Sequence, residues 1–237
     1  MRVTPFRRIL SLSLIAVAVA GASGAQGKAY FADSTLDLVR YLAPPPAPGT
    51  QAQAQDLAEL HRLQDQRTSA QASAAMADAQ ISVFRFADSL DTAHFKEANL
   101  PLTARFFERL LATTEGIYGK AKQSFGRPRP FLADSTLHPV LGKPSSFSYP
   151  SGHSLSGNLI AIVLADIVPE RRAAIFARGW TFAQARAVGG VHYPSDLQAG
   201  RISAALIAQR LWQDTAFVKD LDASRIEVRK TLGLNPR

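Results

Sequence analysis

Helical periodicity dominates this chain. From Gln51 to about Ala98 the residues are mostly Ala, Gln, Leu and charged, with neither glycine nor proline, which predicts helix over that length. Asn99-Leu100-Pro101 interrupts the pattern. A second helical stretch runs from about Leu102 to Lys122, with Phe106, Leu110, Leu111 and Ile117 as its apolar stripe. Asp134 to Phe147, with Pro139, Gly142, Pro144 and three serines, reads as an irregular loop. The run Leu155–Val168 is apolar almost without break, and Pro169 marks the turn into another helix. That helix, Glu170 to Val188, carries Ile175, Phe176, Trp180 and Phe182. A tight turn through Gly189-Gly190 leads to an amphipathic helix from about Pro194 to Gln213, and the tail forms one more short helix. No internal repeat and no series of alternating strands is present, so the pattern predicts an all-α, single-domain helical bundle.

The first residues follow a different logic. Arg2, Arg7 and Arg8 precede the apolar stretch Ile9–Ala20, and small residues follow in Gly21-Ala22-Ser23-Gly24-Ala25. This is the pattern of a secretory signal peptide over residues 1–25. Its apolar run falls short of the ~20 residues that span a bilayer. The expectation is a periplasmic or secreted protein without stable membrane association after cleavage. Residues 26–50 read as an extended N-terminal arm, because Pro44-Pro45-Pro46 and Pro48-Gly49 exclude helix. Residues 51–237 then form the one folded domain.

With 237 residues and 46% apolar content the chain can bury one sizeable core. The formal charge of +8 includes the three leader arginines, and no dense Lys/Arg run marks a nucleic-acid binder. The balance fits small anionic substrates. There is no cysteine, hence no disulfide, thiolate nucleophile or Cys-based zinc site. His61 and His94 lack partners at metal-ligand spacing and read as surface or structural residues.

The candidate chemistry lies in three clusters. In Tyr149-Pro150-Ser151-Gly152-His153-Ser154, proline and a serine cap start a helix whose first N–H groups form a cradle for an anion. His153 stands beside that cradle and can carry a proton. Upstream, Lys120, Lys122, Arg127 and Arg129 are interleaved with Pro128 and Pro130, giving guanidinium and ammonium groups that match phosphate oxygens. Downstream come Arg186, His192 and Asp196. In order and spacing these clusters resemble the signature of the acid phosphatase/vanadium haloperoxidase (PAP2) superfamily, over residues 122 to 196. The signal peptide, Tyr30-Phe31 and Leu42-Ala43-Pro44-Pro45-Pro46 ahead of a helix bearing Asp56 look like the secreted bacterial class A non-specific acid phosphatases.

The resemblance implies roles. His192 would be the nucleophile, Asp196 would hold its far ring nitrogen, and His153 would serve as acid and then base. Lys122, Arg129, Ser151, Gly152 and Arg186 would bind the phosphoryl oxygens. The activity would be metal-independent hydrolysis of soluble phosphomonoesters through a phosphohistidine, with phosphotransfer as a further outcome. No cofactor is implied, vanadate would act as a transition-state-like inhibitor, and the family suggests a homo-oligomer. Two features depart from the pattern. Ala185 stands where the family has serine before the arginine, and Lys120 with Arg127-Pro128 offers a second register. Arg129-Pro130-Phe131 favours Lys122 with Arg129, and residues two apart on a helix point in nearly opposite directions. The rival readings are a vanadium-dependent haloperoxidase, a lipid phosphatase, and a non-catalytic binder of phosphorylated ligands.

Overall fold

A computed structural model describes residues 29–235. Residues 1–25, read above as a signal peptide, lie outside the described residues. The domain is built from α1 (Gln51–Gln66), α2 (Ser69–Ala77), α3 (Pro101–Phe125), the single turn α4 (Pro130–Ala133), α5 (Gly152–Ile167), α6 (Arg172–Val188), α7 (Pro194–Leu211) and α8 (Thr215–Thr231). No strand occurs among the described residues.

The bundle is organised around α5. All its residues except Ile162 and Asp166 are buried, which is the state expected of a helix apolar all round. It packs along α6 and α7, with α3 and α8 against its other side. Leu155, Leu159, Ile160, Val163 and Leu164 join Phe106, Phe107, Leu110, Ile117, Phe182 and Phe217 in one core. A smaller cluster of Leu60, Leu137, Ala187, Tyr193 and Leu197 ties α1 to the turn between α6 and α7. Gly200 sets the approach of α7 to the start of α5: a Cβ there would lie 2.5 Å from the Ser151 carbonyl oxygen. Backbone cannot retreat as a side-chain tip can, so this contact requires glycine.

Three details depart from the sequence reading. Helix does not continue to residue 98, because α2 stops at Ala77 and residues 83–89 and 97–99 form short 3-10 turns. Val83, Phe86 and Phe95 are buried in that segment, so tertiary packing overrides the absence of glycine and proline. The helix expected from Glu170 begins at Arg172, after a 3-10 turn over Pro169–Arg171. The tail helix is α8, 17 residues long, and Phe217, Leu221 and Val228 bury one of its faces.

Residues 29–50 run over the bundle. Short 3-10 turns at Asp33–Thr35 and Leu38–Arg40 precede the prolines, and Pro44 to Pro48 hold no helix. Tyr30, Phe31, Leu38 and Leu42 are buried in the main core. The Tyr30 N–H donates to Thr113 Oγ1 (3.0 Å) and its hydroxyl to Asp220 (2.8 Å). No described helix is long and apolar enough to cross a membrane.

Candidate active site

The start of α5 supplies the floor. Ser151 caps the helix, its Oγ accepting from Ser154 N (3.2 Å) and its carbonyl from Leu155 N (3.0 Å). The N–H groups of Gly152 and His153 precede the first intrahelical bond and face the helix end, where a negative charge is favoured. A Cβ on Gly152 would sit 2.8 Å from the Tyr118 ring, so only glycine lets α3 close over this turn. Beside Tyr118 lies a cleft of about 560 Å³, lined in part by Gln80, Ser82, Phe84, Leu111 and Ser156.

Three buried cations converge above that floor. Lys122 projects from the last turn of α3, and its Nζ donates to the carbonyls of Phe147 (2.7 Å) and Ser148 (3.1 Å). Arg129 caps the short α4; its Nε donates to Ser146 O (2.8 Å) and Nη2 to Ser146 Oγ (3.0 Å). Its Nη1 donates to Val191 O (2.8 Å) and to His192 Nε2 (2.9 Å). The irregular loop ahead of α5 thus serves to hold the cations. Arg186, in the last turn of α6, is 9% exposed, and its Nε and Nη1 are buried without a hydrogen-bond partner among the described residues. Burial and the neighbouring positive charge of Arg129 lower the pKa of Lys122 to about 7 and that of Arg186 to about 10. None of the three pairs with a carboxylate among the described residues. A buried guanidinium left unpaired is costly, and it is the geometry of a site awaiting an anion.

The two histidines differ in their surroundings. His192 Nδ1 donates to Asp196 Oδ2 (3.1 Å), and Nε2 accepts from Arg129, so its Nε2 lone pair is turned towards the cations. Burial drives the His192 pKa well below the usual imidazole value, with Arg129 and Lys122 adding to the effect against Asp196. Asp196 is fully buried on α7; its Oδ2 also accepts from Tyr193 N (2.9 Å) and from the Ser148 hydroxyl, while Oδ1 accepts from Arg127 (2.7 Å). Burial disfavours its charge, but the hydrogen bonds from His192 and Ser148 and the Arg127 charge outweigh it and hold its pKa at about 2.

His153 stacks on Phe182 with the ring centroids 4.5 Å apart, and its Nε2 donates to the Asp78 carbonyl (2.6 Å). A carbonyl only accepts, which leaves Nδ1 as the nitrogen able to exchange a proton. Burial, then the Arg186 charge, press its pKa down to about 3 despite the Asp78 carbonyl.

The structure therefore gathers Lys122, Arg129, Ser151, Gly152, His153, Arg186, His192 and Asp196 around one centre. The second register goes elsewhere. Lys120 pairs with Asp33 at the surface (2.9 Å), and Arg127 points away from the cage to Asp56 (2.8 Å) and Asp196. Ala185 offers no hydroxyl beside Arg186, consistent with two guanidinium nitrogens lacking partners. His61 and His94 bond Asp134 and Asp91, both at 2.9 Å, and no metal-binding cluster occurs among the described residues. Sequence reasoning missed the Asp78 carbonyl, Ser146 and Ser148, which act through backbone or short hydroxyl contacts, and the support from Arg127.

Comparison with known proteins identifies the family. The PAP2 superfamily profile matches residues 109–219. The acid phosphatase of Zymomonas mobilis is 34% identical over 205 residues, covering 82% of this chain and 76% of its own. The non-specific acid phosphatase of Salmonella typhimurium is 35% identical, covering 79% and 78%. The crystal structure of a bacterial vanadium-dependent iodoperoxidase shares the fold at a TM-score of 0.50 and 18% identity, covering 73% of this chain and 52% of that one. On its sequence and its helical architecture, this chain belongs to the PAP2 superfamily.

Proposed function

We propose that this protein is an acid phosphatase that hydrolyses soluble phosphomonoesters through a phosphohistidine at His192. The observation that carries the reading is the buried guanidinium of Arg186, whose Nε and Nη1 have no partner among the described residues, in the same cage as Arg129 and the Nε2 face of His192. The curated relatives, which are acid phosphatases, support the same activity.

The steps follow from the protonation states. Neutral His192 attacks phosphorus through Nε2 while Asp196 keeps its proton on Nδ1 and stabilises the cation that forms. Because its pKa lies well below the ordinary value, His192 remains neutral and nucleophilic in acid. Lys122, Arg129, Arg186 and the first N–H groups of α5 stabilise the three equatorial oxygens; charge placement of this kind is most of phosphoryl-transfer catalysis. These cations supply the charge a metal would otherwise provide. His153 is neutral in the empty site, and the phosphate dianion offsets the Arg186 charge so that the ring takes up a proton as substrate binds. It gives that proton to the leaving oxygen as the P–O bond breaks. His153 then accepts a proton from water as the water oxygen attacks phosphorus and the P–N bond breaks, or from an alcohol acceptor in phosphotransfer.

The leaving group would lie in the cleft beside Tyr118. The signal-peptide pattern of residues 1–25 supports a periplasmic or secreted location, a reading tested by the N-terminal residue of exported protein. Vanadate is expected to inhibit as a phosphoryl mimic.

The activity is tested with p-nitrophenyl phosphate in excess EDTA across acid and neutral pH, beside His192→Ala. Turnover that survives EDTA and is lost in the variant supports the mechanism. Full activity in His192→Ala would assign the nucleophile elsewhere, and no turnover in the wild type would leave a phosphate binder or a haloperoxidase.

A further inference from the structure

Arg127 lies in the upstream basic cluster but outside the register that reaches the cage, and its guanidinium is fully engaged. Its Nη1 donates to Asp196 Oδ1 (2.7 Å) and Ser195 Oγ (2.7 Å). Its Nη2 donates to Asp56 Oδ2 (2.8 Å) and Gln53 Oε1 (2.6 Å), and the guanidinium lies 3.7 Å from the centre of the Tyr193 ring. Arg127 is 5% exposed, Asp56 7% and Asp196 0%. Asp56 also accepts from Ser195 N (3.0 Å) and from the Ser195 hydroxyl, so α1 reaches the N-terminus of α7 through two routes.

Two carboxylates around one guanidinium leave one net negative charge behind His192, on the side away from the cations. A staple that only joined α1 to α7 would need Asp56 and Ser195, not Asp196. The fork instead takes one oxygen of Asp196 while the other holds His192 Nδ1. With both oxygens fixed, the carboxylate has one orientation, and so has the imidazole.

We propose that Arg127 is a positioning residue for the His192 nucleophile, acting through Asp196, and that Asp56 tunes its charge. The proposal rests on the reading of His192 as nucleophile. It assigns to Arg127 two effects: it fixes the direction of Nε2, and its charge keeps Asp196 ionised and His192 neutral as the pH falls. The other groups facing this pair are Lys122 from α3, Arg129 from the cap of α4, Ser148 and Tyr149 from the loop before α5, and Tyr193 from the cap of α7. They stay in place in the variants below, so the sign of each shift follows from the charge removed.

Arg127→Gln removes a positive charge and raises the pKa of both Asp196 and His192. The acid limb of the kcat/KM profile therefore moves up by about one pH unit or more. Misaimed Nε2 lowers kcat by roughly 100-fold. Vanadate, which mimics the transition state at Nε2, loses affinity in parallel with the fall in kcat. Asp56→Asn removes a negative charge, and the acid limb moves the opposite way, to lower pH. This second variant keeps Arg127 and its bond to Asp196, which provides a test should Arg127→Gln not fold.

The experiment measures kcat, KM and vanadate inhibition for p-nitrophenyl phosphate against pH, in wild type, Arg127→Gln, Asp56→Asn and His192→Ala. Opposite displacements of the acid limb support the proposal, as does a displaced limb in Asp56→Asn alone if the other variant is unfolded. Loss of amplitude with an unmoved acid limb in the folded variants would overturn it and make Arg127 a structural staple. Persistent activity in His192→Ala would instead remove the underlying reading, whatever Arg127 does.

Discussion

Two arginine-rich regions flank His192, and they treat charge in opposite ways. On one side, among the described residues, Lys122 and Arg129 are buried with carbonyls, a hydroxyl and one imidazole for partners, and two nitrogens of Arg186 have none. On the other side Arg127 is equally buried but divides its fork between two carboxylates. Arg127 and Arg129 are two residues apart in the chain, so burial and sequence neighbourhood do not separate them. Partnership does. Satisfied charge holds the nucleophile, and unsatisfied charge awaits the substrate.

The contrast can be broken by substitution. Asp196→Asn removes the group common to both functions, leaves Nδ1 of His192 without its anionic acceptor, and is expected to lower kcat by about 10⁴-fold. Steady-state kinetics on p-nitrophenyl phosphate measures it.

Arg186→Met should lower kcat/KM by about 100- to 1,000-fold, the scale of losing one preorganised oxyanion donor. The same substitution removes an unpaired buried charge, so the thermal unfolding midpoint should rise. Arg127→Gln should do the reverse in stability, losing about 3–5 kcal/mol because two buried carboxylates lose their cation. Unfolding curves of the two variants, taken at the same pH, check both signs. Equal destabilisation by both substitutions would erase the distinction.

A smaller effect is expected from pH. The Lys122 pKa is lowered to about 7 by burial, so the empty cage carries full charge below that value and loses it as pH rises. Sulfate keeps the same charge across this range, and its inhibition should weaken by about tenfold per pH unit well above pH 7. Lys122→Arg, which stays charged, should flatten that dependence. Inhibition constants between pH 6 and 9, about the range of the expected change, provide the measurement.

A fourth expectation concerns stability alone. The folded-state pKa of His153, about 3, and that of His192 lie below the unfolded value near 6.5, so the unfolded chain binds protons first as pH falls. Stability contributed by these groups is complete above about 6.5 and is lost progressively towards pH 3. Saturating phosphate should offset the loss, which thermal unfolding with and without phosphate would show.

Much of the site could be read in the sequence because its chemistry is local. Ser151-Gly152-His153 occupies one helix start, and His192 and Asp196 are one turn apart, so spacing alone brings their side chains together. The choice between Lys120 and Lys122 was also accessible, since residues two apart on α3 must diverge; one reaches Asp33 and the other the cage. Arg127 was not accessible in this way, because Asp56 lies 71 residues upstream and the pairing exists only once α1 packs beside α7. The Asp78 carbonyl was hidden for a different reason: a backbone acceptor leaves no mark on residue type. Residues 78–100 misled helix assignment because Val83, Phe86 and Phe95 gain more from core burial than from continuing α2.

The most direct test of the account is chemical trapping of the intermediate. Mature enzyme mixed with excess phosphomonoester is quenched in alkali, where phosphohistidine survives, and the peptide spanning Val191 to Asp196 is examined by mass spectrometry. The account predicts a phosphoryl group on His192 that is absent from His192→Ala and accumulates further when His153 is replaced and hydrolysis slows. Turnover with no phosphoryl group on His192, or with the group on another residue, would contradict it.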